Sequence, residues 1–261
     1  MSDVRVENAL QKRQLTNAYE NASRFYEEKL EKNPTMGRYK HYLAAMSSAQ
    51  GKVAEADSYY RQTLESSPGD VLVKNDFAVH LLNNYTDRKE DAVKELKKAL
   101  ILVNDSAIIH KNTAAAYARK GDFQQALVHA QQAKHLAPND CQNHRNIAKL
   151  ESILGDNHTS LKHNLFSIEA EENKHQSNPS FVPNTSAYRA AAVQIISKGG
   201  DHQEALDLMN KARVYEQKKF VLSTSQRTHE IIRKLQARQM EEFQKVQAQK
   251  RAEEEKKMKL T

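Results

Sequence analysis

Residues 107–140 read AIIHKNTAAAYARKGDFQQALVHAQQAKHLAPND, and this stretch decides the fold. Two helix-forming runs, IIHKNTAAAYARK and FQQALVHAQQAKHL, flank the dipeptide Gly121-Asp122. Glycine adopts the tight backbone that a short helical hairpin needs. Ala126 and Ala133 lie seven apart on one face of the second run, where small side chains let paired helices approach closely. Pro138 closes the unit, because proline is disfavoured inside a helix and tolerated just past its end.

The same features recur outwards. Ala56, Ala92, Ala126 and Ser160 are spaced 36, 34 and 34 residues apart, with Ala22 34 before the first and Ala205 45 after the last. Gly51, Gly121, Gly155 and Gly200 keep that beat, as do Pro34, Pro68 and Pro138. Three residue types in phase mark an internal repeat of helical pairs.

The unit resembles the tetratricopeptide repeat, carried by Ala114, Tyr117, Gly121, Ala126, Ala133 and Pro138. His110 stands where that family has a large aromatic. The resemblance implies an all-α, right-handed solenoid of five to six helical hairpins over 3–219. Its units are 3–36, 37–70, 71–106, 107–140, 141–174 and 186–219. Unit 71–106 carries two extra residues in its turn, and unit 141–174 has Ser167 where Ala is usual. Unit 3–36 lacks a turn glycine, Asn17 standing in its place, so its first helix is expected to be irregular.

Between the last two units, HQSNPSFVPNT (175–185) carries two prolines among polar residues and reads as a non-helical insertion. It is either a plain loop or a means of presenting Phe181 and Val182 to a partner. From 220 to 261 the sequence predicts a long helix, whose early part (Ile232, Leu235, Phe243, Val246) caps the last repeat. The remainder is a charged tail.

Composition narrows the function. With 39% hydrophobic residues, 7 Gly, 5 Pro and no Trp, the chain suits a thin helical stack in which each unit buries one face against its neighbours. The net charge of +7 comes from 40 basic against 33 acidic residues that are mostly interspersed. That excess favours acidic protein partners. It is not the basic patch interleaved with stacking aromatics that nucleic acid requires, so no nucleic acid partner is expected. A lone cysteine, Cys141, leaves no internal disulfide and no cysteine metal cluster, which fits a reducing compartment. MSDVRVENALQKRQ has no apolar core of a secretory signal, and no window approaches a membrane span. A cytoplasmic location is expected, with a cytoskeletal or ciliary one as the variant.

No phosphate loop, nucleotide-binding glycine fingerprint or nucleophile elbow occurs, so neither catalysis nor a cofactor is expected. The histidine pairs 129/135 and 158/163 miss the spacing of a helical zinc site, and no metal is expected. The resemblance instead implies a partner-binding groove lined by the first helix of each repeat. On this chain it maps to Arg38, His41, Asn75, Lys111, Arg119, Arg145 and Lys149. Long cations there suit an acidic or extended segment of a protein, or a chain-terminal carboxylate. A clamp of the kind with which family members hold heat-shock chaperone tails is incomplete: Lys111 and Asn146 fit, but Ala115, Ala187 and Ala190 stand where polar residues are needed.

The leading expectation is an interaction scaffold or adaptor. The alternatives are a structural component of a ciliary or microtubule assembly, using the tail with ten Lys/Arg against six Glu from Gln226 on, a co-chaperone-like binder, or a regulatory subunit of an enzyme complex. The sequence leaves the oligomeric state open.

Overall fold

The computed structural model describes residues 2–222 and, beyond them, only 232, 233, 236, 237, 240, 241 and 244. Side chains are described from 13 to 219 and at those scattered positions. The capping helix and tail expected over 220–261 therefore lie outside the described residues beyond Leu222. Among the described residues there are eleven helices and no strand. The described residues fall into two compact units, one over residues up to 66 and one over 67–221.

The first unit holds α1 (Ser2–Lys32), α2 (Gly37–Ala49) and α3 (Val53–Ser66). Residues 3–36, read as a helical pair with an irregular first helix, instead form the single helix α1 and the turn after it. Nothing between Ser2 and Lys32 forces a break: there is no Gly or Pro, and Asn17 lies within the helix. Its buried face joins α2 through Ala22, Tyr26, Tyr39, Leu43 and Met46, with Tyr42 and Tyr59 packed on their edge. Tyr26 and Tyr42 meet with ring centroids 4.8 Å apart.

The second unit is a run of antiparallel pairs: α4 (Val71–Asn84) with α5 (Lys89–Leu102), α6 (Ala107–Lys120) with α7 (Phe123–Leu136), and α8 (Cys141–Leu154) with α9 (Asn157–Ser177). A fourth pair, α10 (Ser186–Ser197) and α11 (His202–Leu222), completes it. The small residues that set the period are sealed between paired helices. Ala92, Ala99, Ala126, Ala133, Ser160, Ser167, Ala205 and Ala212 are all at most 1% exposed. Where serine replaces alanine, its hydroxyl is satisfied: Ser160 Oγ donates to the Ala148 carbonyl at 2.7 Å. Ile168, Tyr188, Ala191 and Ile195 close the core of the last pair.

The turns follow one chemistry with two exceptions. Gly121 and Gly155 end α6 and α8 at φ +93° and +90°, in the left-handed region where a side chain would be strained. Asp122 and Asp156 then cap the next helices by accepting from the backbone N–H of Gln125 and Thr159. Asp70, Ser106 and Asp140 cap α4, α6 and α8 the same way. The first exception is the turn of unit 71–106. There α4 ends on Tyr85 in extended backbone (φ −128°), so no glycine is needed, and the two extra residues are absorbed before Lys89.

The second exception corrects the expected beat. In the last pair the left-handed glycine is Gly199 (φ +69°), not Gly200. The Gly200 N–H donates to the Ile195 carbonyl, as the Asp122 N–H donates to Tyr117, so one additional residue sits in this turn. A Cβ on Gly200 would fall 2.9 Å from Ile195 Cγ2. Close approach, rather than a left-handed φ, keeps glycine there.

The insertion is also shorter than the sequence predicts. Helix α9 continues through Ser177, and only Asn178–Thr185 is non-helical. The ring of Pro179 disfavours helical backbone at the residue before it, and Asn178 is extended at φ −140°. Helix is therefore free to form up to Ser177.

Candidate functional site: a polar groove on the second unit

The first helices of three successive pairs, α6, α8 and α10, bear two clefts that share Asn146, Lys149 and Ile153. The first, about 310 Å³, is lined largely by apolar atoms of Ala114, Ala118, Phe123, Leu150 and Ile153, with Arg119 at its edge. The second, about 490 Å³, is lined by Gln142, Asn146, Asn164, Asn184 and Gln194 together with Ser152, Ser160 and Ser186. Arg119, Arg145 and Lys149 supply cations to the two clefts, and neither lining contains a carboxylate.

The alanines explain the apolar pocket. Ala114, Ala115 and Ala118 leave a trough where longer side chains would stand, and Leu150 and Ile153 from α8 wall it. The amides of the second cleft are tied to one another. Gln142 Nε2 donates to Asn146 Oδ1 at 2.7 Å, Asn164 Nδ2 to Gln194 Oε1 at 3.2 Å, and Gln194 Nε2 to Ser160 Oγ at 2.7 Å. These contacts fix the side-chain rotamers and leave the Asn146 NH₂ turned to the cleft with no acceptor among the described residues.

The residues expected in the groove divide by what they touch. Lys149 is exposed, lines both clefts and makes no ion pair among the described residues. Arg119 and Arg145 line the clefts but are already engaged. Arg119 donates to the Leu82 carbonyl and, at 3.1 Å, to Asn83 Oδ1, fastening α6 to the end of α4. Arg145 pairs with the buried Glu171 of α9 and also donates to Gln142 Oε1 at 2.8 Å. Glu171 in turn accepts the Asn184 N–H, so the insertion is anchored beside the second cleft.

Asn75 and Lys111 line neither cleft. Asn75 is buried and accepts from Asn112 Nδ2 at 2.7 Å, a link between α4 and α6. Lys111 reaches Asp140, the cap of α8, at 3.4 Å. In the first unit, Arg38 is exposed, whereas His41 is buried with its ring against Tyr42 and Tyr60 at 6.2 and 6.1 Å. Sequence reasoning missed Gln142, Asn164, Asn184 and Gln194. Gln142 lies three residues before Arg145, so helical periodicity could have found it; Asn164 on α9, Asn184 at the end of the insertion and Gln194 on α10 stand outside the register of the named positions. Phe181 and Val182 are half-buried, and the His175 Nδ1–H donates to the Phe181 carbonyl.

Buried ionisable groups cluster on α8 and α9. Burial, with Asp156 nearby, pushes the Glu151 carboxyl up to about 7. Burial, with Lys134 and His144 facing it, pulls His163 down to about 4. Among the described residues no group of three or more His, Cys, Asp or Glu is placed to hold a metal, and no helix is long and apolar enough to cross a membrane.

Stacked helical pairs with a polar, ligand-sized groove along their first helices define a repeat scaffold of the protein-binding kind. A tetratricopeptide repeat family model matches residues 5–145, and the chain belongs to that family. No curated protein matches it. Its fold is shared with MamA from Desulfovibrio magneticus RS-1 (TM-score 0.56, 16% identity, 65% of this chain and 95% of that one). It is also shared with YrrB, described as a tetratricopeptide protein with an unusual peptide-binding site (TM-score 0.54, 15% identity, 77% and 97%). PilF of Pseudomonas aeruginosa aligns over 86% of this chain and 97% of its own (TM-score 0.59, 15% identity).

Proposed function

We propose that the chain is a non-catalytic scaffold whose second unit holds an extended, acidic segment of a partner protein across α6, α8 and α10. The observation that carries this reading is the composition of the two joined clefts: three cations, several amides and hydroxyls, an apolar trough and no carboxylate. Amides of the Asn and Gln type can meet the backbone N–H and C=O groups of an extended chain. Lys149, at the junction, is the cation left to meet a carboxylate, and the alanine trough takes an apolar side chain beside it. Family membership and a peptide-binding relative of the same fold support the class of ligand.

The test is fluorescence polarisation with a labelled Glu/Leu peptide of extended character, using the full chain and its Lys149→Glu variant. Charge reversal at a residue without a structural partner leaves folding intact. The expected result is binding that weakens with salt and falls at least about tenfold in the variant. Equal binding by the variant, or equal affinity for a Gly/Ser peptide, would refute the reading. Arg145→Glu is the poorer probe, because it would set a carboxylate against buried Glu171 and disturb the fold itself.

A further inference from the structure

Two consecutive repeats carry the same side-chain pair at the same place. His110 Nδ1 lies 3.0 Å from His129 Nδ1, and His144 Nδ1 lies 2.9 Å from His163 Nδ1. In each case the histidine on the first helix also points Nε2 at a carbonyl of the preceding loop, Asn104 at 3.0 Å and Pro138 at 2.9 Å. All three elements recur 34 residues on. One repeat earlier, the equivalent positions hold Lys74 and Glu95, whose charged groups are 3.8 Å apart and almost buried. One slot between paired helices is thus filled by an ion pair in one repeat and by two imidazoles in the next two.

The geometry fixes the protons. A carbonyl only accepts, so His110 and His144 carry hydrogen on Nε2 and, when neutral, present a bare Nδ1. The hydrogen between the rings then belongs to Nδ1 of His129 and His163. Each pair can take up one proton and share it, but a second would set two N–H groups against each other about 3 Å apart. The surroundings oppose extra charge. Around the first pair, Lys97 of α5 faces His129, and the Tyr117 ring stacks on it at 5.5 Å. Around the second, Lys134 of α7 and Lys162 of α9 face the rings, Phe166 stacks on His144 at 4.0 Å, and Asp140 is the acid that acts on His144. Burial depresses His129, His144 and His163 below the ordinary imidazole value.

We propose that His110–His129 and His144–His163 form a tandem proton-sensitive latch, which holds α6 to α7 and α8 to α9 when neutral and releases them on acidification. Because α6 and α8 floor the clefts, release of the latch dismantles that surface; the proposal itself stands whether or not the groove binds a peptide. Opening frees imidazoles to titrate at their ordinary value of about 6.5, so the open state gains up to about tenfold per pH unit below that for each histidine released.

The full chain supplies its own control. The substitutions His110→Lys, His129→Glu, His144→Lys and His163→Glu copy the Lys74–Glu95 pair into both slots. In urea unfolding between pH 7 and pH 5, the unfolding constant of the natural chain is expected to rise at least about a hundredfold relative to that of the fourfold variant, which keeps every other titrating group of the chain. Parallel pH profiles for the two chains would overturn the latch. Long-range proton–nitrogen spectra of the natural chain, assigned with single His→Gln variants, decide the matter if the fourfold variant fails to fold. One ring of each pair staying neutral below pH 5.5 supports the latch, and all four rings titrating near 6.5 would overturn it.

Discussion

A single methyl group is the unit in which this fold is specified. Ala126 is fully buried where α7 meets α6, and Ala→Leu there adds three carbons to a contact with no room. It is expected to cost about 1–3 kcal/mol, and thermal unfolding that matched the natural chain would show the helices packed on another face. Gly200→Ala is expected to destabilise although its backbone is not left-handed, because the new Cβ presses on Ile195; Gly69→Ala, with open space around it, is the matched control. Glu151 carries a pH prediction of its own. Its folded value of about 7 lies above the ordinary carboxyl value, so the native state favours the protonated acid. Stability is therefore fullest at low pH and is lost as pH rises towards 7. Glu151→Gln should leave the melting temperature unchanged near pH 5 and raise it by a few degrees at pH 8. A loss at pH 8 would mean that the carboxylate has a partner it needs. His163 has the opposite sign: its depressed value gives stability that is present above about 6.5 and lost as pH falls towards 4.

At the scale of the element, α4, α6, α7, α8 and α9 each start on a side-chain cap, and α6 and α8 stop on a left-handed glycine. Asp122→Ala removes the acceptor for the Gln125 N–H and is expected to cost about 1 kcal/mol, visible as a lower urea midpoint at unchanged slope. Neighbouring pairs are joined by polar links as well as packing, Asn112 to Asn75, Arg119 to the end of α4 and Lys111 to Asp140, while Arg145 to Glu171 ties α8 to α9 within one pair. Here lies the line between what the sequence discloses and what it withholds. Small residues at a fixed interval name the helical pairs, since only Ala, Ser or Gly fits where helices touch. Gly121 and Gly155 mark turns because left-handed backbone admits little else. The shift from Gly200 to Gly199 was hidden, because two adjacent glycines satisfy the pattern equally well. The continuity of α1 was hidden too, since the repeat pattern called for a break that no residue enforces. Groove residues are legible as positions but not as free groups. Asn75, Arg119 and Arg145 have the right register, yet their partners lie 37, 36 and 26 residues away, beyond any local pattern.

Seen whole, the chain separates what builds the scaffold from what it offers. Lys111 and Arg119 tie repeat to repeat and Arg145 ties α8 to α9, which leaves Lys149 and the Asn146 amide without such a partner among the described residues. On the proposed function, the recognition surface lies on the second unit, over three consecutive first helices. Hydrogen–deuterium exchange of the full chain with and without a saturating Glu/Leu peptide tests this most directly. The account predicts new protection concentrated in 114–119, 142–153 and 184–194, with the exposed faces of α7 and α9 unchanged. Protection confined to α7 and α9, or to the first unit, would contradict it.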